Sequence, residues 1–334
     1  MNLGFWKKLK KPFFVLAPMA DVTDVAFRQI IAKYGKPDVF WTEFVPCDGL
    51  CSKGREVLLR DLDYEENERP IVAQLFGGHP ENFYKTAQLI KELGFDGVDI
   101  NMGCPDRSIE KQGAGASLIK NPELAQEIIK ETKRGAGDLP VSVKTRIGYN
   151  KNEIETWLPV LLKAEPSVIT IHGRTRKEMS KVPNDWNVIK RAVEIRNEMK
   201  SQTLIIGNGD INNLTEAEEA VKQSGVDGVM IGRGIFGNPW FFNKEINTSD
   251  ISTADKLRVL IEHTKVFEEK LGGIKPRSEF LQTQKSTTGK NFAIMKKHYK
   301  AYVTGFDGAK ELRIKLMEAQ NATEVENLVN DYLG

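Results

Sequence analysis

The amino-acid sequence predicts a (β/α)8 TIM barrel followed by a smaller all-helical C-terminal domain. Three observations carry that expectation. Eight short β-rich apolar runs alternate with longer amphipathic patterns, polar residues gather where those runs end, and β-runs cease after the polar stretch NKEINTSDIST at 243–253. Eight such units fit a closed barrel better than an open doubly wound sheet.

The runs are Phe13 to Ala17, Val39 to Glu43, Ile71 to Phe76, Gly97 to Asn101, Val141 to Thr145, Val168 to His172, Leu204 to Gly207 and Gly228 to Gly232. Helical periodicity marks Val25 to Tyr34, Glu81 to Leu93, Pro122 to Arg134 and Thr215 to Gln223 between them. Asn121 before Pro122 and Asp185 before Trp186 are helix-start signals. GFDGVDI at 94–100 and GVDGVMI at 225–231 echo each other 131 residues apart, which half-barrel symmetry or shared turn chemistry would each produce. The expected division is a barrel over 1–245 and a helical domain over 252–334.

A chain of 334 residues, 40% hydrophobic and 28% charged, is neither disordered nor fibrous. Three cysteines, Cys47, Cys51 and Cys104, are too few for a disulfide framework and suit a reducing cytosol. MNLGFWKKLKKPFF lacks the apolar centre of a secretory signal, and no apolar run reaches the roughly 18–20 residues of a membrane span, so a cytoplasmic protein, monomeric by default, is expected. The net charge of +2 hides an asymmetry. Residues 270–315 hold eleven Lys or Arg against three acids, a local +8, interleaved with Phe280, Phe292, Tyr299, Tyr302 and Phe306. Charge with aromatics is the footprint of nucleic-acid contact, while a solvated helical face over an aromatic core is the plainer reading. Most aromatics are expected in the core and several lysines, above all Lys296, Lys297 and Lys300, on the phosphates.

In a barrel the strand C-termini carry the active site. Here they read APMADVTD after the first run, Gln74 in the third, NMGCP after the fourth, then KTR, HGRTR, GNGD and GRG. The glycines of the last two, with a following helix N-terminus, have the logic of a phosphate site that Arg233 closes. Gln74, Lys144 and His172 could converge as amide, cation and imidazole on one planar carbonyl-bearing ring, which describes a flavin mononucleotide pocket. Cys104, between Gly103 and Pro105, should stand exposed at the mouth as proton donor or nucleophile. Cys47 and Cys51 fit inert buried thiols better, and their CxxxC spacing is a weak metal signal, so no metal is expected.

APMADVTDVAFR, QLFGG, GFDGVDINMGCP, QGAGASL, KTRIG, HGRTR, GNGDI and DGVMIGRG, in that order, resemble the bacterial tRNA-dihydrouridine synthases, and FAIMKKHYKAYVTGF resembles that family's helical RNA-binding domain. MSKVPND at 179–185 departs from the aromatic and glycine more usual there. The resemblance implies reduction of the uracil 5,6 double bond in tRNA, using FMN reduced by NADPH. It implies that Cys104 protonates C5, and that Pro18, Met19, Ala20, Gln74, Lys144, His172, Asn208, Gly209, Asp210, Gly232 and Arg233 hold FMN. It further implies that Asn101, Arg146, Arg174 and Arg176 meet the flipped nucleotide or its phosphates. Three other readings compete. A dihydroorotate dehydrogenase-like FMN barrel would have no use for the basic helices. A Schiff-base aldolase built on Lys144 would be colourless, and an RNA-binding protein with an inactive barrel would not need Cys104, Lys144 and His172.

Overall fold

The computed structural model describes residues 2–272 and 289–334, so Lys275, Arg277, Glu279, Phe280 and Lys285 of the basic stretch lie outside the described residues. Eight strands form one parallel sheet: β1 Phe13–Leu16, β2 Phe40–Pro46, β3 Ile71–Phe76, β4 Gly97–Met102, β5 Val141–Arg146, β6 Val168–His172, β7 Leu204–Asn208 and β8 Gly228–Ile231. β1 pairs with β8 and bridges β2 at Val15 and Val39, which closes the barrel. Each strand is nearly all buried because helices cover its outer face while its inner face fills the barrel.

Six helices form the outer ring: α1 Val25–Tyr34, α2 Pro80–Glu92, α3 Pro122–Ala136, α4 Ile154–Lys163, α5 Trp186–Glu198 and α6 Leu214–Ser224. Their starts are chemically defined. Asp24, Asn121, Asp185 and Asn213 each accept first-turn backbone N–H groups, the sequence-read caps at 121 and 185 among them. Between β2 and β3 the chain makes only short helical turns, Cys47–Leu50 and Arg55–Leu59, and the helix expected after β8 is a three-residue 3-10 turn, Arg233–Ile235.

The GFDG/GVDG echo has a local cause. Asp96 accepts from Ile71 N at 2.8 Å and Asp227 from Ile205 N at 2.8 Å, each carboxylate pinning the start of the neighbouring strand. Asp38 does the same for Phe14 N at 2.7 Å in a stretch with no such text, so the contact itself belongs to αβ-turn chemistry. The barrel floor is filled by Trp6, Phe13, Val15, Trp41 and Val72.

The C-terminal region is helical: α7 Thr253–Leu271, α8 Met295–Tyr302, α9 Ala309–Glu318 and α10 Ala322–Leu333. Its core is shared with the barrel. Val25, Ala26 and Ile30 of α1 and Trp240 pack with Leu260, Phe267, Tyr299 and Leu316 in one cluster. The other face of α1 buries Arg28, whose Nε donates to Glu68 at 2.5 Å and whose two Nη donate to the carbonyls of Thr23 and Asp63 at 2.6 and 2.5 Å. Both ionic side chains are fully buried. Arg28→Met removes the cation and leaves Glu68 unpaired in the core, an expected loss of about 3–5 kcal/mol in urea unfolding. A loss below about 1 kcal/mol, the scale of an exposed pair, would show that water reaches this site.

Candidate active site

A cavity of about 460 Å³ opens at the C-terminal ends of the strands. Of the residues read as cofactor-binding, Pro18, Met19, Lys144, His172, Asn208, Gly209, Asp210, Gly232 and Arg233 line it, and so do Arg146 and Arg174. Ala20 is exposed beside the lining, whereas Gln74 lies beneath it, fully buried. Strand register explains the grouping, for His172 of β6 pairs with Arg146 of β5 on one side and with Asn208 of β7 on the other.

The cationic side of the cavity is held in a defined protonation state. Burial, with Arg146 nearby, lowers Lys144 to about 8, and Asp99 opposes that shift. Burial followed by the charges of Lys144, Arg146, Arg174 and Arg233 drives His172 down to about 2, so the imidazole is neutral. Nη1 of Arg174 lies 3.1 Å from His172 Nε2, which makes Nε2 the acceptor and leaves the proton on Nδ1. Arg174 also donates to Val182 O at 2.6 Å and pairs with Asp210. Asp210 further accepts from Asn184 N at 2.9 Å, and Arg233 Nη2 lies 3.4 Å away. Its carboxylate therefore joins Arg174 to Arg233.

Two glycines are obligatory here. Gly209 has φ of +126°, outside the range of ordinary side chains, and a Cβ there would sit 2.1 Å from the Asn184 side chain. A Cβ on Gly234 would lie 2.1 Å from Ile211 O, where the β7 and β8 loops touch. Gly209, Gly232, Gly234 and Arg233, which remains exposed, thus form one side of the mouth, without the dipole of a full helix after β8.

Cys104 stands on the loop after β4 and is half-buried, packed with Phe44 against Phe76, Ile109 and Ala114 rather than freely exposed. Below it runs a buried polar chain. Ser142 Oγ donates to Asp99 at 2.5 Å, Gln74 Nε2 donates to Asp99 at 2.6 Å, and Asn101 Nδ2 donates to Gln74 Oε1 at 3.0 Å. Asn101 Oδ1 then accepts the amides of Gly103 and Cys104 at 3.1 and 2.9 Å. Asn101 and Gln74 have their polar atoms committed to this chain. Arg146 donates to Gly103 O at 2.7 Å and to the carbonyls of Thr175 and Met179, while Arg176 pairs with Glu110 on the same loop. Both arginines, read as nucleotide contacts, here tie down the Cys104 loop. Burial raises the Cys104 thiol above its ordinary value, against smaller lowering effects from Lys144 and Arg146.

The family description "Dihydrouridine synthase (Dus)" matches residues 15–333. The chain belongs to the dihydrouridine synthase family. It is 42% identical over 336 residues to a protein named "Probable tRNA-dihydrouridine synthase 2" from Bacillus subtilis (strain 168), covering 99% of this chain and 97% of the relative. A "Probable tRNA-dihydrouridine synthase" from Staphylococcus aureus (strain COL) is 40% identical over 334 residues, covering 99% and 96%. Among solved structures, histamine dehydrogenase from Rhizobium sp. 4-9 superposes with a TM-score of 0.54 at 13% identity, over 76% of this chain and 48% of that one. The 6-hydroxypseudooxynicotine amine oxidase from Pseudomonas geniculata N1 gives 0.54 at 14%, over 74% and 50%. This chain spans about half the length of those two structures, and the likeness bears on the barrel fold.

In this dihydrouridine synthase family member the described residues of the basic stretch divide in two. Lys297 and Lys300 are exposed and Lys296 half-buried on α8, with Lys297 Nζ 3.6 Å from Asp21 of the loop after β1. Tyr299 and Tyr302 are core residues, and Phe292 and Phe306 are half-buried. Lys290 is buried against Glu43 with Asp61, and Lys270 is half-buried against Glu65. Cys47 is buried as expected of an inert thiol, but Cys51 is exposed.

Sequence reading missed Asp99, Asn184, Glu110 and Lys290. Only Asp99 carried a signal, as an acid inside an apolar strand. Because burial keeps Cys104 protonated, iodoacetamide at pH 8 should modify it about tenfold or more slowly than exposed Cys51, read by peptide mass spectrometry. Faster labelling at Cys104 would mean a thiolate and contradict this electrostatic account.

Proposed function

We propose that this chain reduces the 5,6 double bond of particular uridines in tRNA, with FMN as resident cofactor, NADPH as electron source and Cys104 as general acid. Its relatives of about 40% identity carry tRNA-dihydrouridine synthase in their names. The observation that carries the proposal is geometric: the Asn101–Gln74–Asp99 chain holds the Cys104 backbone at the end of β4, next to Pro105 of the cavity lining, where burial raises the thiol above its ordinary value. The cavity fits a flavin mononucleotide: its volume is in the range of ligand pockets, Lys144 and neutral His172 offer donors for ring carbonyls, and Gly209, Gly232 and Arg233 suit a single phosphate.

When bound, FMN supplies hydride to C6 of the uracil. Cys104 delivers the proton to C5, and Lys144 and Arg146 stabilise the thiolate that remains. A uracil in a stacked loop hides C5 and C6, so the nucleotide must be flipped out. The family resemblance assigns the phosphates of that nucleotide to Arg174 and Arg176, each of which would exchange part of a carboxylate pairing for the RNA. Lys296, Lys297 and Lys300 extend the phosphate contacts along α8, which supports a division of labour between a catalytic part over 1–245 and a tRNA-binding part over 252–334. No described helix is long and apolar enough to cross a membrane, and the reading places the protein with tRNA in the cytoplasm, working as a monomer.

The test uses the purified full chain. It should be yellow and release FMN on acid treatment. Cys104→Ala should keep FMN and its reduction by NADPH, yet lose about 10²–10⁴ in the rate of dihydrouridine formation on unmodified tRNA. Near-normal dihydrouridine formation in the variant, or recovery of FAD, would contradict the proposal.

A further inference from the structure

Lys290 sits in the C-terminal region, where its backbone N–H donates to Leu271 O at the end of α7 at 2.7 Å. Its side chain runs into the barrel. Nζ pairs with Glu43 of β2 and lies 3.0 Å from Asp61, and the Lys290 and Glu43 side chains are only 4% and 6% exposed. Asp24, the buried cap of α1, also feels the Lys290 charge. The second oxygen of Glu43 accepts the backbone N–H of Asp21 at 2.5 Å.

Asp21 is held at φ +52°, in the left-handed region that among non-glycine residues Asp and Asn enter most readily, and the Glu43 bond to its N–H helps to keep it there. It lies in the tight turn in which Val22 N and Thr23 N donate to Met19 O at 3.1 and 3.0 Å, and Met19 lines the cavity. One buried cation of the helical region thus reaches the cavity wall through two bonds. A second link, Lys297 to Asp21 at 3.6 Å, joins the same helices to the same residue from outside.

We infer that Lys290 and Glu43 are positioning residues for the cofactor: Lys290 orients the Glu43 carboxylate, Glu43 fixes the Asp21 backbone, and this sets the Pro18–Met19 wall against which the flavin binds. The inference rests on the reading of the cavity as the flavin site. It gives the C-terminal region a part in cofactor retention besides contact with RNA. The chemistry is that of a charge-assisted hydrogen bond, since a carboxylate partnered by ammonium is a stronger and better oriented acceptor than a neutral, unpartnered carboxyl.

The experiment measures FMN affinity of the flavin-stripped full chain by flavin fluorescence, together with melting temperature. Lys290→Met should weaken FMN by about tenfold, the scale of one charge-assisted hydrogen bond, and Lys290→Arg should restore most of it. Asp61→Asn, which touches Lys290 but not Asp21, should leave FMN affinity within about twofold, as for a partly solvated pair, even where it lowers the melting temperature. Should Lys290→Met fail to fold, Lys290→Met with Glu43→Gln, which removes the stranded charge, carries the same expectation. Wild-type affinity in the Lys290 variant, or an equal loss in Asp61→Asn, overturns the inference. Amide exchange of residues 18–24 gives a readout independent of flavin. Faster exchange in the Lys290 variant supports the linkage even if the wild type takes no FMN, which would overturn only the reading of the cavity, and unchanged exchange overturns the linkage itself.

Discussion

A carboxylate inside a barrel must be met by donors, and Asp99 is the group on which this site is built. Its two oxygens take Gln74 and Ser142, Gln74 passes the order to Asn101, and Asn101 holds the amides of Gly103 and Cys104. Burial pushes Asp99 up to about 6 while it lowers Lys144 to about 8, so the two groups depend on each other's charge. Each partner in this chain has few alternatives. Removing one leaves a buried polar group unsatisfied.

The same rule operates at larger scale where the helical region meets the barrel. α1 has one face in each core: Phe27 contacts the rings of His263 and His298, and Arg28 turns inward to Glu68. Desolvation keeps both histidines neutral, with His298 lowered to about 3. The region that bears the exposed lysines is therefore continuous with the wall of the cavity through apolar packing and through the buried Lys290.

Much of the fold was legible because it is local. Alternation of apolar runs with helical patterns located all eight strands, and Asn121 and Asp185 capped the helices they preceded. The glycine loops of β7 and β8 and the pair Lys144 and His172 were legible too, since strand ends in a barrel converge whatever the sequence between them. What escaped was set by partners far along the chain. Lys290 reads as one more lysine in a basic stretch until Glu43 and Asp61 are brought to it, and Arg146 and Arg176 read as free cations until Gly103 O and Glu110 are. Asp210 reads as a ligand contact, yet its carboxylate holds Arg174 and approaches Arg233.

Cys104 in the proposed reaction acts from its neutral form, as an acid and not as a nucleophile. The direct test is the pH dependence of single-turnover dihydrouridine formation by protein reduced beforehand, which isolates the step on RNA from flavin reduction. The expected rate is flat at neutral pH and falls on the alkaline side, as Lys144 loses its proton near 8 and the thiol ionises above its ordinary value. A rate that climbs with pH through the same range would require the thiolate and would contradict it.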